Sequence, residues 1–195
     1  RVIKELKPEY VVAAFDMAGP TFRHKEFKDY KAHRPLTDDS LINQFPLVKE
    51  LVAAFNIPIL ERQGYEADDI IGTVVERLKK QKNLEKIIVT GDMDTLQLID
   101  DENVKVYTLK KGVNDTVVYD EAAVKERFQG LEPSQMADFK GLKGDPSDNI
   151  PGVPGVGEKT AITLLIEYGN LENLYKNINK LKDKSLKLFE KLSQN

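Results

Sequence analysis

Three acidic side chains stand within four residues of one another in the stretch 64–72. Glu66, Asp68 and Asp69 immediately precede an apolar pattern of helical period. The pattern predicts a helix that starts near Tyr65 and carries all three acids in its first turn. A single acid is favourable at a helix N-terminus, because the backbone N–H groups and the helix dipole attract negative charge. Three acids in one turn repel one another, so the stretch predicts either a capped helix or one side of a site for a divalent cation.

Three further acids follow apolar segments. Asp16 ends the run 10–15, which is typical of a strand buried on both faces, and Asp92 and Asp94 follow a similar run at 86–90. Acids at the carboxyl ends of buried strands occupy a usual site position in open α/β sheets. Taken alone, Asp16 is better explained as a loop cap, and a turn with an N-cap explains one of the other two. In an extended segment residues i and i+2 point the same way, so Asp92 and Asp94 can reach one ion.

Two more acids, spaced i and i+3, precede a glycine-rich segment and bring the set to eight. The first six are predicted to lie at one edge of one sheet. Oxygen ligands in that number, with no cysteine and two histidines, favour Mg²⁺ or Mn²⁺ over Zn²⁺. Two ions about 4 Å apart would suit an in-line phosphoryl displacement, whereas a glycosidase needs only two acids and no phosphate site. The eight candidate ligands are Asp16, Glu66, Asp68, Asp69, Asp92, Asp94, Asp145 and Asp148.

Basic and aromatic residues alternate between residues 21 and 35. Five Lys or Arg side chains stand there against two acids, without a clear amphipathic pattern. This composition suits a phosphate backbone, with rings available to bases or sugars. The plainer alternative is a solvated, mobile loop.

The segment 144–161 contains two glycine-rich turns that open onto an apolar helix predicted from Ala161. Its pattern Val-x-Gly-Val-Gly-x-x-x-Ala suits a helix–hairpin–helix, because glycines let the backbone approach a phosphate that the N–H groups of the next helix bind. Lys159 adds positive charge nearby. The alternative, a plain corner between two helices, needs one glycine and not three in six residues.

The whole chain has 195 residues, a net charge of −3, 41% hydrophobic and 31% charged residues, which indicates a globular domain with one possible appendage. The absence of cysteine fits a reducing compartment, and no apolar run approaches the ~20 residues of a membrane span. Strands alternating with helices predict an α/β fold with a mostly parallel sheet. Within it we expect a helix over residues 41–55 that Asp38 or Asp39 caps, and a hairpin of the segments 104–109 and 115–119. The apolar side of that helix is predicted to carry Leu47, Leu51, Val52 and Phe55. We expect an α/β core at 1–120 and a helical subdomain at 121–195.

The order of these motifs resembles the 5′-nuclease (5′-3′ exonuclease, flap endonuclease-like) domain of the bacterial DNA polymerase I family over nearly all 195 residues. One motif alone is weak, but the full series in order is highly specific. The residues that carry the resemblance are Phe15-Asp16, Phe22-Arg23-His24, Tyr30-Lys31-Ala32-His33-Arg34, Gly64-Tyr65-Glu66-Ala67-Asp68-Asp69, Thr90-Gly91-Asp92-Met93-Asp94, Gly144-Asp145-Pro146-Ser147-Asp148-Asn149-Ile150-Pro151-Gly152 and Gly155-Val156-Gly157-Glu158-Lys159-Thr160-Ala161.

The resemblance implies a PIN-like core, a helical arch at about 21–45 and a helix-3-turn-helix subdomain that binds duplex DNA. It implies one metal cluster of Asp16, Glu66 and Asp68, and a second of Asp92, Asp94 and Asp148, with Asp69 and Asp145 as companions. Arg23 and Lys31 match catalytic arch positions that act on the scissile phosphate. The residues matched to DNA binding are Tyr30 as a stacking platform, Arg34, Gly152, Gly155, Gly157, Lys159 and Thr160.

The implied function is a structure-specific 5′-3′ exonuclease and 5′-flap endonuclease of DNA replication and repair. The implied cofactors are two Mg²⁺ ions, which Mn²⁺ replaces, and a K⁺ ion at the glycine turn. The expected partners are 5′ flaps, nicked or branched duplex DNA, RNA primer strands and a covalently linked polymerase region. A monomeric, cytoplasmic bacterial protein associated with the nucleoid is expected.

One departure from the family pattern concerns the N-terminus. The family begins with a strand that ends in a further metal-binding aspartate, and both would precede Arg1. We therefore expect the chain to be N-terminally truncated and to lack one ligand of the first cluster. The alternative function is a non-catalytic DNA-binding module for duplex or flap DNA with an incomplete metal site.

Overall fold

The computed structural model describes residues 1–101, 103–111 and 115–193. The chain divides into two units, Arg1–Val74 and Val75–Asn195, and the boundary falls inside one helix. The domain division predicted from the sequence, at residue 120, stays a prediction. Each unit is described by itself below.

The first unit joins one parallel strand pair to several short helices. Ala13 pairs with Ile59, and Ala14 pairs with Leu60. Both strands lead at their carboxyl ends toward predicted ligands, with Asp16 two residues after the first strand. In chain order the elements are α1 (Val2–Leu6), β1 (Ala13–Ala14), α2 (Phe22–Glu26), α3 (Asp39–Ile42), α4 (Phe45–Ala54), β2 (Ile59–Leu60) and α5 (Ala67–Leu78), whose last turn lies in the second unit.

The strand predicted over residues 10–15 is shorter and more exposed than its apolar run indicates. Only Ala13 and Ala14 form a strand, and Tyr10 is 76% exposed. Among the described residues β1 pairs with β2 alone. An apolar run is buried on both faces only where neighbouring elements cover both faces, and a two-stranded pair of this length does not provide that cover.

The helix predicted over residues 41–55 is two helices, α3 and α4. Pro46 lies in the first turn of α4, where its missing N–H costs nothing, so it marks the restart of the helix. The predicted cap is confirmed at Asp38, whose carboxylate accepts a hydrogen bond from the backbone N–H of Ser40. Much of the predicted apolar side is exposed, including Leu47, Leu51 and Phe55.

The second unit is a three-stranded sheet followed by helices. β3 (Lys86–Val89) runs parallel to β4 (Val104–Lys111), and β4 runs antiparallel to β5 (Asp115–Tyr119). This confirms the predicted hairpin, whose turn at 112–114 lies outside the described residues. Two 3₁₀ helices occupy Met93–Leu98 and Pro133–Gln135. The α-helices are α6 (Glu121–Arg127), α7 (Met136–Lys143), α8 (Glu158–Tyr168), α9 (Leu171–Lys176), α10 (Ile178–Lys184) and α11 (Leu186–Ser193).

The packing of α7 fixes the start of the acidic loop. Phe139 and Leu142, three residues apart on one face of α7, are almost fully buried, as is Leu165 of α8. The ring of Phe128 meets the ring of Phe139 edge to face, with centroids 5.8 Å apart. Because α7 is held by this core, the loop that begins at Gly144 leaves from a fixed point.

The predicted α/β class is confirmed, since both units contain parallel strand pairs and helices accompany them. The prediction of one sheet is wrong for the described residues, where β1–β2 and β3–β4–β5 are separate sheets. Asp16 therefore follows a strand of one sheet, and Asp92 and Asp94 follow a strand of the other. None of the helices in the described residues is long and apolar enough to cross a membrane.

A substitution in α8 tests the core of the second unit. Leu165→Ala should lower the free energy of unfolding by about 2–5 kcal/mol, because Leu165 is 0% exposed and its truncation leaves a cavity. Ile166→Ala, one residue on and 56% exposed, is the matched control and should cost less than about 1 kcal/mol. Urea unfolding of the three proteins gives the comparison, and equal losses would contradict the core assignment.

Candidate metal centre

The second unit brings three predicted ligands together. Asp94, Asp145 and Asp148 each offer a carboxylate oxygen, and these atoms lie within 4.8 Å of one another. Asp94 stands in the 3₁₀ helix that follows β3, and the other two stand in the loop after α7. We refer to these three residues as the 94/145/148 cluster. Carboxylates this close can hold a metal ion, since a divalent cation offsets their mutual repulsion.

The loop that carries two of these acids closes on itself. Asp145 and Ile150 exchange two backbone hydrogen bonds of 2.8 Å, and the Asp145 carboxylate accepts bonds from the N–H and hydroxyl of Ser147. Gly144 and Gly152 both have positive φ angles, and a Cβ at Gly152 would clash with the backbone of Gly144. The loop therefore needs both glycines. Gly152, predicted to bind DNA, has this structural role here.

A lysine contacts two of the three acids of the 94/145/148 cluster. The Nζ atom of Lys140 donates to Oδ2 of Asp145 at 2.7 Å and also to Oδ1 of Asp94. The predicted site does not include Lys140, because a lysine in the last turn of a helix is common as a simple dipole partner. Its sequence signal is its position, one turn before the glycine at which the acidic loop begins.

The electrostatics of Asp145 reflect this lysine. Partial burial raises the pKa of Asp145, but hydrogen bonds from Lys140 and Ser147 and the charge of Lys140 outweigh burial and lower the pKa to about 2. Asp145 is therefore ionised at neutral pH and available as a metal ligand.

Asp92 is not placed as its sequence predicts. Asp92 and Asp94 were expected in an extended segment with side chains pointing the same way, but the chain turns into a 3₁₀ helix there. The carboxylate of Asp92 accepts a hydrogen bond from the N–H of Asp94 at 2.9 Å and caps that helix. In this structure Asp92 orients the backbone of Asp94. The group of three close carboxylates contains Asp145 and not Asp92.

In the first unit the acids meet cations of the basic stretch. Oε2 of Glu66 accepts a hydrogen bond from Nζ of Lys31 at 2.9 Å and one from the hydroxyl of Tyr30 at 3.0 Å. Lys31 has a φ of 55°, in the left-handed region that side chains other than glycine rarely adopt. The basic stretch is therefore anchored to the acidic helix and is not simply a solvated loop.

Asp69 forms a bidentate pair with Arg23. Both N···O distances are 2.8 Å, and Oδ2 of Asp69 also accepts the backbone N–H of Glu66 at 2.8 Å. Arg23 lowers the pKa of Asp69 against an opposing effect of burial, and Asp69 in turn raises the pKa of Arg23. Asp69 thus caps α5, which begins at Ala67 and not near Tyr65, and holds Arg23 at the acidic segment.

The first predicted cluster, Asp16, Glu66 and Asp68, stays a prediction. Oδ1 of Asp16 accepts the backbone N–H of Ala67 at 2.7 Å, so Asp16 does lie beside the acidic segment. In the part of the chain that the structure describes, 94/145/148 is the one group of three ligand atoms that meets the 4.8 Å spacing. Asp16, Glu66 and Asp68 do not meet this spacing in the described residues, and Oε2 of Glu66 accepts hydrogen bonds from Lys31 and Tyr30.

Two predictions for the basic stretch differ in outcome. Tyr30 is only 5% exposed, with its ring edge-on to His24 at 5.1 Å between centroids, so it is not an open stacking platform in this structure. A buried hydroxyl needs a partner, and Glu66 supplies it. Arg34 is exposed, and its role in DNA binding stays a prediction.

The glycine turn leads directly into α8. Gly157 is the N-cap residue and α8 begins at Glu158, three residues earlier than predicted. Lys159 and Thr160 therefore lie in its first turn, with Lys159 exposed. Gly155 has a φ of +73°, and its carbonyl accepts a hydrogen bond from Lys191 of α11 at 3.2 Å.

Two family models match this chain. Residues 1–129 match the N-terminal resolvase-like domain of 5′-3′ exonucleases, and residues 131–195 match the C-terminal SAM fold of the same enzymes. DNA polymerase I of Bacillus caldotenax is 46% identical over 187 residues, which are 96% of this chain and 21% of that protein. DNA polymerase I of Bacillus subtilis strain 168 is 44% identical over 194 residues, 100% of this chain and 22% of that protein. The chain thus spans about a fifth of the length of these curated relatives.

Solved structures share the fold. A bacteriophage T5 5′-exonuclease with divalent metal ions (zinc) bound has a TM-score of 0.74 at 23% identity, covering 92% of this chain and 67% of that one. The catalytic core of Rad2 in complex with DNA substrate has a TM-score of 0.56 at 24% identity, covering 93% and 56%. These likenesses confirm the predicted fold class. Because both family models match in order along the sequence, the chain belongs to the family of 5′-3′ exonucleases.

Proposed function

We propose that this chain is a metal-dependent nuclease that hydrolyses DNA phosphodiesters as a 5′-3′ exonuclease and 5′-flap endonuclease. The observation that carries the proposal is the convergence of Asp94, Asp145 and Asp148, from two separate segments, to within 4.8 Å. Membership of the exonuclease family gives this acidic group its reaction class.

The donor set fits a hard divalent ion. All three ligands are carboxylates, and a cationic group, the Lys140 ammonium, already lies against two of them. Mg²⁺ is the proposed ion, with Mn²⁺ as its substitute, because both prefer oxygen ligands. When bound, such ions activate a water molecule and offset the negative charge that develops on a phosphate. A second ion is proposed at Asp16, Glu66 and Asp68.

Arg23 and Lys31 are the proposed phosphate-binding cations of the reaction. Their pairs with Asp69 and Glu66 keep both cations beside the acidic segment, which supports this proposal. Their charge would offset the charge of a phosphodiester in its transition state, which is the largest single contribution in many hydrolytic enzymes. The Arg23 guanidinium donates two parallel hydrogen bonds to one carboxylate, and a guanidinium binds a phosphate in the same geometry.

The hairpin before α8 is the proposed duplex-binding element. Gly155, Gly157, Lys159 and Thr160 offer backbone N–H groups and one exposed ammonium, which suit a phosphate backbone of any sequence. Such binding weakens as salt rises, because condensed counterions are released. A K⁺ ion held by the turn remains part of the proposal.

The relatives also support a proposal about the process in which the nuclease acts and about its substrates. The curated relatives are DNA polymerase I proteins of which this chain covers about a fifth, so we propose that the nuclease acts beside a linked polymerase in replication and repair. Its substrates would then be 5′ flaps, nicked duplexes and primer strands. A T5 flap endonuclease structure is a complex with DNA and metal ions, which supports this choice. A monomer in the bacterial cytoplasm is the proposed state.

The direct test is cleavage of a 5′-flap duplex in Mg²⁺. Asp148→Asn should lower the rate of cleavage by about 10²–10³-fold. A bound metal ion stabilises the charge of the transition state by several kcal/mol, and the loss of one ligand weakens that stabilisation. Glu126→Gln, an exposed acid of α6 outside both acidic groups, is the matched control and should cleave normally. Flap binding without cleavage by the unaltered protein, at every Mg²⁺ concentration, would instead establish a DNA-binding module.

A second test separates the proposed catalytic lysine from general charge. Lys31→Met should lower kcat by about 10²–10³-fold with a smaller change in KM, as for loss of one group that stabilises the transition state. Lys28→Met removes an exposed lysine three residues earlier and should change kcat by less than about twofold. Equal effects of the two substitutions in single-turnover kinetics would rule out a specific role for Lys31.

A further inference from the structure

The ammonium of Lys140 contacts two carboxylates, whereas an ordinary surface ion pair joins one cation to one. Its ammonium contacts two carboxylates, Asp94 and Asp145, that come from segments 51 residues apart in sequence. Asp145 is only 12% exposed in its side chain. The backbone of Lys140 is fixed because its neighbour Phe139 is buried in the α7–α8 core. A single cation therefore joins both segments of the 94/145/148 cluster.

Lys143 shows the contrast, three residues further along the same helix. Its ammonium lies 3.3 Å from Glu158, and both side chains are substantially exposed. Pairs of that kind contribute little, because solvent screens them. The two lysines carry the same charge on the same helix. A comparison of their substitutions therefore separates the effect of contact with the cluster from the effect of charge alone.

The ammonium of Lys140 bonds two of the three carboxylates that a divalent ion at this cluster would bind. Asp94 contributes one oxygen to Lys140, and the group of three ligand atoms spans no more than 4.8 Å. A monovalent and a divalent cation cannot both take the same oxygens at full contact, and like charges at this range repel. The side chain of lysine has a flexible four-carbon stem, so its head can move while α7 stays in place.

We propose that Lys140 is the resident counter-ion of the 94/145/148 cluster, which joins the carboxylates in the metal-free protein and is exchanged when a divalent ion binds. The inference rests on the proposed metal site. Lys140 acts through the carboxylates and is thus a positioning residue. It lowers the affinity of the cluster for metal. Without a divalent ion it also keeps the carboxylates close together against their mutual repulsion.

Mn²⁺ titration followed by electron paramagnetic resonance, on the purified chain without DNA, tests the exchange. Lys140→Met removes the charge at nearly constant volume and should lower the Kd for Mn²⁺ by about tenfold, which corresponds to about 1.4 kcal/mol. Lys140→Arg keeps the charge and should bind like the unaltered protein. Lys143→Met is the matched control and should leave the Kd within about twofold.

A measurement on the unaltered protein covers the case in which Lys140→Met does not fold. Acetylation by a lysine-reactive reagent, read by peptide mass spectrometry, should be slow at Lys140 without metal and several-fold faster in saturating Mg²⁺. Lys143 in the same digest should show no such change. Equal responses of the two lysines, or an unchanged rate at Lys140, would overturn the exchange.

The outcomes also separate this inference from the proposed function. Mn²⁺ binding with the same Kd in Lys140→Met and Lys143→Met overturns the role of Lys140 and leaves the metal site intact. Absence of Mn²⁺ binding in every variant overturns both. Binding that becomes tighter only in Lys140→Met, and that Asp148→Asn abolishes in the same background, supports the exchange at this cluster.

Discussion

Repulsion between carboxylates is the constraint on which the candidate site depends. Two unit charges 4.8 Å apart repel by about 3.5 kcal/mol at an effective dielectric constant of about 20, before further screening by solvent. Three carboxylates meet within that distance in the second unit, so the protein must bring cations to them. The structure does so with its own side chains: Lys140 in the second unit, and Lys31 and Arg23 in the first.

The same pairing occurs in both units, although their elements differ. In the first unit a basic stretch that follows β1 is fixed to the N-terminus of α5, with Tyr30 buried beside it. In the second unit a lysine of α7 reaches the loop that α7 itself leads into. Lys31 and Lys140 each follow a buried aromatic residue, Tyr30 and Phe139, and the loop that carries Asp145 is closed by backbone hydrogen bonds. Packing therefore decides where the charges stand, and the charges decide which ligand the site accepts.

Much of this follows from the sequence, for identifiable reasons. Acids after apolar runs are visible because strands end where the apolar pattern ends, and Asp94 was found in this way. Asp145 was found by its spacing from Asp148, just before the glycine-rich segment. The glycine pair 144 and 152 was visible as a turn, but its mutual contact depends on the closed loop. The spacing of Asp92 and Asp94 predicted an extended segment, and the cap formed by Asp92 replaced it with a helix.

Other features depend on contacts that sequence patterns do not encode. A tyrosine among lysines and arginines predicts exposure, yet Tyr30 is buried and donates its hydroxyl to Glu66. The apolar run at 10–15 predicts a buried strand. Its burial depends on the strand that pairs with it, and β2 is only two residues long. Lys140 was missed because a lysine in the last turn of a helix is common and gives no sign of a contact with Asp94, which is distant in sequence. In each case the deciding contact joins residues far apart along the chain.

Anomalous diffraction from crystals soaked in Mn²⁺ tests the central claim most directly. The predicted result is a manganese peak bounded by the carboxylates of Asp94, Asp145 and Asp148, with the Lys140 ammonium moved away from Asp94. A map with no manganese at this cluster and Lys140 still bonded to Asp94, at Mn²⁺ concentrations that saturate cleavage, would contradict it.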